Sequence, residues 1–217
     1  YMNKIFTIGH SSDSLEYFNN VLATNSVDTI ADVRSVPYSR FVSQFNKDPL
    51  ATFLKNNNID YVPMGQHLGA IYEDKELLFE DGKVDFSKVI ETKRFKEGIT
   101  RIDNGIKKGH KIALMCSEKN PLECHRFSLI SHFLHQTGYT VDHIIGEDVF
   151  SHKSLESKLL DYYKEHHKVS LDLNKIKDFH MVQHALFDVN EIDKSKLYSM
   201  LNKLVAYSPM VKEKEQI

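Results

Sequence analysis

Strand-like and helix-like runs alternate along most of the chain, and this alternation constrains the fold more than any other feature. Short apolar runs rich in β-branched residues are followed by segments with apolar residues at helical spacing. The pattern over residues 2–165 predicts an α/β fold: a three-layer, Rossmann-like open sheet, mostly parallel, with helices on both faces. The strand-like runs are residues 5–8, 29–33, 59–62, 111–115 and 140–145.

The same pattern places the predicted helices. Ser12 or Asp13 is positioned to cap a first helix that begins near Leu15. Asn120, followed by Pro121, is typical of a helix start. Residues 65–86 are glycine-containing and read as irregular loop. The further helices are predicted at 49–56, 85–108 and 120–136.

The chain changes character after residue 165. Leucines and other apolar residues recur at helical spacing, but no strand-like run follows. We therefore expect two units, an α/β domain over residues 2–165 and a C-terminal helical extension and tail over residues 166–217.

Composition excludes several classes of protein. The formal net charge is −2, which argues against a protein whose whole surface binds a polyanion. Two cysteines cannot form a disulfide scaffold and favour a reducing compartment. No apolar run approaches the ~18 residues of a spanning helix, and residues 2–5 lead directly into a strand rather than a secretory leader. We expect a cytoplasmic protein with no membrane partner.

Polar residues collect where predicted strands end. In an open parallel sheet the carboxyl ends of the strands share one edge, where ligands bind. Arginine suits phosphate and carboxylate groups, and histidine titrates near neutral pH. We predict a crevice for an anionic, phosphorylated or nucleotide-like molecule there. The predicted binding residues are Ser11, Arg34, Ser39, Arg40, Ser117 and Arg126, and the predicted catalytic residues are His10, Asp32, Cys116, Glu118, Cys124 and His125.

Each of these residue types also has an ordinary structural role. The arginines can instead pair with nearby acids such as Asp32 and Glu118, and buried cysteines are often inert. Cys116 and Arg126 are too far apart for the cysteine-phosphatase signature, and their surroundings lack dinucleotide and P-loop glycine motifs. His180 and His184 lack the zincin glutamate, so we expect no metal, and the sequence names no cofactor.

Three stretches together make the sequence similar to a known family. Thr7-Ile8-Gly9-His10-Ser11 is the first, residues 32–40 (Asp-Val-Arg-Ser-Val-Pro-Tyr-Ser-Arg) are the second, and residues 114–126, with Cys116 and Cys124-His125-Arg126, are the third. They resemble the uncharacterised prokaryotic family "domain of unknown function 488" over roughly residues 3–150. The family's Leu-Gly-Gly after strand three is Leu68-Gly69-Ala70 here. The resemblance implies an α/β fold and supplies no reaction.

Three hypotheses for function remain. The first is an enzyme that binds an anionic small molecule in the crevice. The second is a nucleic-acid-binding or repair-associated protein, in which Tyr38, Phe41 and Phe45 stack on bases. The third is a thiol-based redox sensor that uses Cys116 and Cys124. The sequence leaves the oligomeric state and the substrate open.

Overall fold

A six-stranded sheet forms the centre of the protein. The computed structural model describes residues 3–165 and 194–209. The strand order is β3-β2-β4-β1-β5-β6, with β1 to β5 parallel where they pair and β6 antiparallel to β5. The α/β class and the mostly parallel sheet are therefore confirmed. The strands are β1 (Lys4–Gly9), β2 (Thr29–Asp32), β3 (Asp60–Pro63), β4 (Ile112–Cys116), β5 (Thr140–Ile145) and β6 (Asp148–Ser151).

The edge strand β6 was not among the predicted strands. It follows β5 through the two residues Gly146 and Glu147, and Gly146 has φ +65°. A glycine at the first position of a two-residue connection is typical of a hairpin turn, because that position needs a positive φ. The signal was present in the sequence, but β6 is short and largely exposed, so it lacks an apolar run.

Helices cover both faces of the sheet. Short 3₁₀ turns lie at Ser43–Phe45, Lys75–Leu77 and Pro121–Glu123, and Arg126–Ser131 is π-helical. The α-helices of the described residues are α1 (Leu15–Thr24), α2 (Lys47–Asn56), α3 (Gly65–Leu68), α4 (Phe86–Val89), α5 (Lys93–Lys107), α6 (His132–Gln136), α7 (His152–Glu165) and α8 (Lys194–Val205).

Three predicted helix details are wrong. Ser14, rather than Ser12 or Asp13, caps α1, since its side chain accepts from the Tyr17 amide. The stretch 85–108 is two helices, because Thr92 starts a new one by accepting from the Phe95 amide at 3.2 Å. The stretch 120–136 is broken at Cys124, whose backbone is extended.

Two apolar layers sandwich the sheet. One lies under α5 and includes Ile5, Leu114 and Phe95, and the other lies under α1 and α2 and includes Phe18 and Leu50. Central strands are buried on both faces, which explains why they appear in the sequence as continuous apolar runs. Because apolar residues cover the two faces of the sheet, polar groups lie at its edges, where the loops meet.

Helix α8 packs against the α/β part of the protein. Its Leu197, Tyr198 and Leu201 join a third apolar cluster with Phe127 of the π-helix and Leu155 of α7. The helical character predicted for the C-terminal segment is confirmed at α8, whereas residues 166–193 of that segment lie outside the described ranges. Over residues 3–165 and 194–209, the structure contains no helix with the length and apolar composition of a membrane span.

Gly9 lies where the end of β1 meets the loop after β4. A Cβ at this position would lie 1.8 Å from the Glu118 carbonyl oxygen, a backbone atom that cannot rotate away. We expect Gly9→Ala to destabilise the protein by about 1–3 kcal/mol or more, as overpacking of rigid atoms does. Urea unfolding followed by circular dichroism measures the change.

Gly105→Ala in α5 is the matched control. Its Cβ would meet the flexible end of the Ile112 side chain at 2.8 Å, and alanine favours a helix over glycine. Equal unfolding midpoints for the two variants would contradict the role of Gly9.

Candidate functional site at the sheet edge

The carboxyl ends of β1, β2 and β4 meet at one edge, as the parallel sheet predicts. Gly9 of β1 lies opposite Cys116 of β4, and Asp32 of β2 lies opposite Met115. Beyond the sheet, the Ser11 amide donates to the Ser117 carbonyl at 2.8 Å. The predicted residues thus fall into two adjoining groups, one around Arg34 and one around Arg126.

Asp32 and Arg34 form a buried bidentate pair. Arg34 Nε and Nη2 donate to the Asp32 carboxylate at 2.9 and 2.6 Å, and Nη2 also donates to the Phe45 carbonyl. Tyr61 donates its hydroxyl to Asp32 at 2.6 Å. Arg34 therefore balances the charge of Asp32, and most of the guanidinium N–H groups donate hydrogen bonds within the protein.

His10 completes this first group as a neutral ring. Its Nε2 lies 3.1 Å from Arg34 Nη1, which can only donate, so Nε2 accepts and Nδ1 donates to the Ser11 carbonyl at 2.8 Å. The ring stacks on Phe45 at 4.2 Å. Burial, reinforced by the Arg34 charge, lowers the pKa of His10 to about 4. The neutral His10 ring therefore holds the Arg34 side chain in position and does not act as a proton donor near neutral pH.

Arg126 is fully buried at the start of the π-helix. Its Nη1 donates to the Glu118 carbonyl at 2.6 Å and its Nη2 to the Lys119 carbonyl at 2.9 Å. These bonds fold the loop after β4 back over the end of β1. Arg126 thereby serves as an internal brace and as a fixed positive charge beside the cysteines.

Cys116, Cys124 and His125 form a buried trio next to this brace. His125 Nδ1 lies 3.9 Å from Cys116 Sγ and 3.7 Å from Cys124 Sγ, and the ligand atoms of all three residues lie within 4.8 Å of one another. The opposite nitrogen, Nε2, donates to the Leu68 carbonyl at 3.1 Å. Because that carbonyl fixes the ring, Nδ1 is held toward the two sulfurs.

The electrostatics of the trio distinguish its two thiols. Burial opposes ionisation of Cys124, but the hydrogen bond with Cys116 and the charges of Arg126 and His125 lower its pKa. The Arg126 amide also donates to Cys124 Sγ at 3.4 Å. The hydrogen bond with Cys124, together with burial, raises the pKa of Cys116. Cys124 is thus the thiol of the pair that ionises more readily.

The neighbours of the thiolate respond to it. Burial by itself favours the neutral His125 ring, but the charge of Cys124 raises the pKa of His125. Partial burial and the same thiolate raise the pKa of Glu118. The arrangement places the more acidic thiol, Cys124, against the His125 imidazole, with a second thiol and a carboxyl group beside them.

The remaining predicted residues lie at the margin. Arg40 is exposed and lies over the Phe41 ring at 5.6 Å, away from the buried arginines. Ser39 holds its own loop by accepting from the Phe41 amide. The predicted helix start at Asn120 caps only a three-residue turn, and the longer helical segment begins at His125.

A second buried polar cluster lies on β5, α6, α7 and α8 and was missed by sequence reasoning. His143 Nε2 lies 3.1 Å from His152 Nδ1, and His152 Nε2 lies 2.9 Å from the Tyr198 hydroxyl. Tyr198 donates to Glu156 at 3.2 Å, and the His132 ring stacks on Tyr198. The signal in the sequence was the count of 12 histidines, but these residues share no local motif.

Burial affects the histidines of this cluster strongly. It lowers the pKa of His132 to about 4 and the pKa of His152 to about 2. Ligand atoms of His132, His152 and Glu156 lie within 4.8 Å of one another. Two places in the described structure therefore bring metal-ligating atoms together, this one and the cysteine trio.

Comparison with known proteins identifies the family. The family model for DUF488, a domain of unknown function, matches residues 14–133, more than half of the chain. The chain belongs to the DUF488 family. No curated protein and no solved structure matches it. The DUF488 match contains Asp32, Arg34 and the cysteine trio, so both groups at the sheet edge involve its residues.

His10 gives this site a pH signature. The unfolded chain takes up the histidine proton at a pKa near 6.5, whereas folded His10 takes it up at about 4. Its contribution to stability is therefore complete above pH 6.5 and is lost as the pH falls toward 4. The difference corresponds to about 3 kcal/mol. We expect His10→Gln to flatten the decline of unfolding free energy between pH 6.5 and 4.

Urea unfolding at a series of pH values measures this slope for both proteins. Proton NMR of the folded chain gives an independent reading. A His10 ring that titrates near pH 6.5 would contradict the assignment.

Proposed function

We propose that the protein carries a reversible dithiol–disulfide centre, with Cys124 as the reactive thiol and Cys116 as its partner. The observation that carries the proposal is the position of both sulfurs against one nitrogen, His125 Nδ1, at 3.7 and 3.9 Å. Both cysteines are free. A pair of close thiols with one stabilised as the thiolate is the arrangement that thiol redox chemistry needs.

The chemistry balances with a hydroperoxide as the oxidant. The Cys124 thiolate attacks the distal peroxide oxygen, which breaks the O–O bond and leaves a sulfenic acid and an alcohol or water. Cys116 then attacks the sulfenic sulfur, and water leaves as the S–S bond forms. The two thiols are oxidised by two electrons, the peroxide is reduced, and a second dithiol reverses the step.

The surroundings support this division of roles. The Arg126 charge and the Arg126 amide, which donates to Cys124 Sγ, stabilise the attacking thiolate, and Cys124 is almost fully buried, so only a small oxidant fits. Glu118 reaches solvent as a residue while its carboxyl group is partly buried and interacts with both thiols, which gives protons a path out. A reducing cytoplasm would keep the centre in its dithiol form.

An anionic substrate has less support at the same edge. Arg34 is paired with Asp32, and Arg126 is bound to two carbonyls. A phosphate would have to displace Asp32 from its buried pair with Arg34. Breaking a buried ion pair costs more free energy than breaking an exposed one. The dithiol centre needs no such displacement, so it is the better reading of the geometry.

The test is oxidation of the native protein by hydrogen peroxide, followed by unfolding, alkylation and mass measurement. We expect the wild-type protein to lose two hydrogens and to present no alkylatable thiol. In Cys116→Ser, Cys124 should accumulate as a sulfenic acid that dimedone traps. In Cys124→Ser, no disulfide can form and Cys116 should react far more slowly.

His125→Gln should slow the first step about tenfold or more, because it removes the charge that stabilises the thiolate. His110→Gln changes a partly exposed histidine that lies just before β4, at the opposite end of that strand from Cys116, and is the matched control. Two fully alkylatable thiols after peroxide, or faster trapping at Cys116 than at Cys124, would contradict the proposal.

A second candidate function rests on the loop that contains residues 36–41. Val36, Tyr38 and Phe41 are 62%, 68% and 88% exposed, and Arg40 lies beside them. Exposed aromatic rings with an arginine are the elements that stack on single-stranded bases. The expected contribution of Phe45 is wrong, since Phe45 is buried against His10.

A gel-shift titration with a single-stranded oligonucleotide at low salt tests this candidate. We expect the double change Tyr38→Ser and Phe41→Ser to weaken binding by about tenfold or more, since each stacked base contributes about 1–3 kcal/mol. Val149→Ser, at another exposed apolar residue, should leave binding unchanged. Absence of binding by the wild-type protein would refute the candidate.

A further inference from the structure

We propose that His132, His152, Glu156 and Tyr198 form a binding site for one divalent transition-metal ion of the Zn²⁺ type. The four side chains come from α6, α7 and α8, none of which contains a residue of the cysteine trio, and they converge inside the protein. Two imidazoles and a carboxylate are a common ligand set for such ions. The site goes beyond the proposed redox function and does not depend on it.

The distances between the ligand atoms fit a coordination shell. His152 Nε2 and Glu156 Oε1 both face the Tyr198 oxygen, at 2.9 and 3.2 Å. Ligands bound to one ion at about 2.0–2.2 Å lie about 3.0–3.5 Å from each other in octahedral or tetrahedral geometry. The present hydrogen bonds therefore already have the length of the edges of a coordination polyhedron, with Tyr198 as the fourth ligand.

A chain of partners behind the ligands fixes their orientation. His152 Nδ1 lies 3.1 Å from His143 Nε2, and His143 Nδ1 lies 2.8 Å from Thr7 Oγ1. Metal binding requires the tautomer in which His152 and His143 each donate from Nδ1, and an acceptor is in place for both. Such outer contacts orient a metal-bound histidine and increase its basicity.

The carboxylate is supported in the same way. Lys194 donates to Glu156 Oε2 at 2.7 Å, while Oε1 faces Tyr198. The lysine therefore neutralises part of the charge from the far side and leaves the near oxygen to a ligand. Carboxylates that bind a metal ion are typically held by a hydrogen bond to their other oxygen in this way.

His132 supplies the observation that points to a missing partner. Its Nδ1 is buried and has no hydrogen-bond partner within the described part of the protein, and its ring stacks on Tyr198 with 3.4 Å between centroids. A buried nitrogen without a hydrogen-bond partner is unfavourable. A metal ion at the centre of the cluster would add a favourable interaction with the His132 ring beside it.

A cavity gives the ion a way in. It has a volume of about 350 Å³, lies between α4, the π-helix, α6 and α8, and is lined by His132 and Tyr198 among others. Ser128 Oγ also borders it and lacks a hydrogen-bond partner among the described residues. An entry path and an incompletely satisfied polar wall are both features of a ligand-accessible site.

The test is a titration of the full chain, in reduced form, with Co²⁺ followed by its visible absorption, and with Zn²⁺ followed by calorimetry. We expect one ion per chain, with ligand-field bands but no thiolate-to-cobalt charge-transfer band, because all four ligands are nitrogen or oxygen. Glu156→Gln and His132→Gln should each weaken Zn²⁺ affinity about tenfold or more.

Tyr198→Phe keeps the ring that packs in the core and removes only the fourth ligand, so it should weaken affinity without unfolding the protein. His110→Gln is the control and should bind as the wild type does. Circular dichroism confirms that each variant is folded.

Three outcomes would overturn the site. One is a folded wild-type protein that binds neither ion, and another is binding that survives Glu156→Gln and His132→Gln. The third is a charge-transfer band that disappears in Cys116→Ser, which would assign the ion to the cysteine trio. Oxidation of the dithiol is measured by mass, whereas metal binding is measured by absorption and calorimetry. Either proposal can therefore be refuted without affecting the other.

Discussion

The buried guanidinium of Arg126 is the interaction on which the sheet edge depends. It bonds two consecutive carbonyls, of Glu118 and Lys119, and so turns the loop after β4 back onto the end of β1. The loop comes so close that only a glycine fits at position 9. With the loop held there, Cys116 at the end of β4 and Cys124 beyond the turn face the same histidine ring.

Arg126 positions the loop and also supplies a charge that acts on the neighbouring side chains. The two carbonyls accept from Nη1 and Nη2 of Arg126, and because a carbonyl carries no net charge they do not neutralise the guanidinium. The charge acts on the thiolate of Cys124 and on His10. By contrast, Arg34 is neutralised by Asp32 and mainly fixes the neighbouring strands. Two arginines of one sheet edge thus have different roles for a physical reason, namely the charge of the acceptor.

Individual strands and helices show which features of the fold can be predicted from the sequence. The strands β1, β2 and β4 follow from apolar runs that are buried on both faces, and predicting them required no tertiary information. The break at Cys124 and the split of residues 85–108 did not follow from periodicity, because local side-chain caps at Asn120 and Thr92 compete with helix continuation. The convergence of His10, Asp32 and Cys116 followed from topology alone, since parallel strands end at a common edge.

The sequence by itself determined the fold class, the position of the polar edge and the family, because strand periodicity and the motif spacings are local properties of the chain. Only the tertiary structure decided which arginine is paired with an acid and which of the two thiols ionises more readily. It also decided that scattered histidines form one cluster with Tyr198. Those outcomes depend on distances between residues such as His125 and Leu68, or His152 and Tyr198, that lie 57 and 46 positions apart in the chain. Hydrogen bonds and charges act through space, so no local pattern records them.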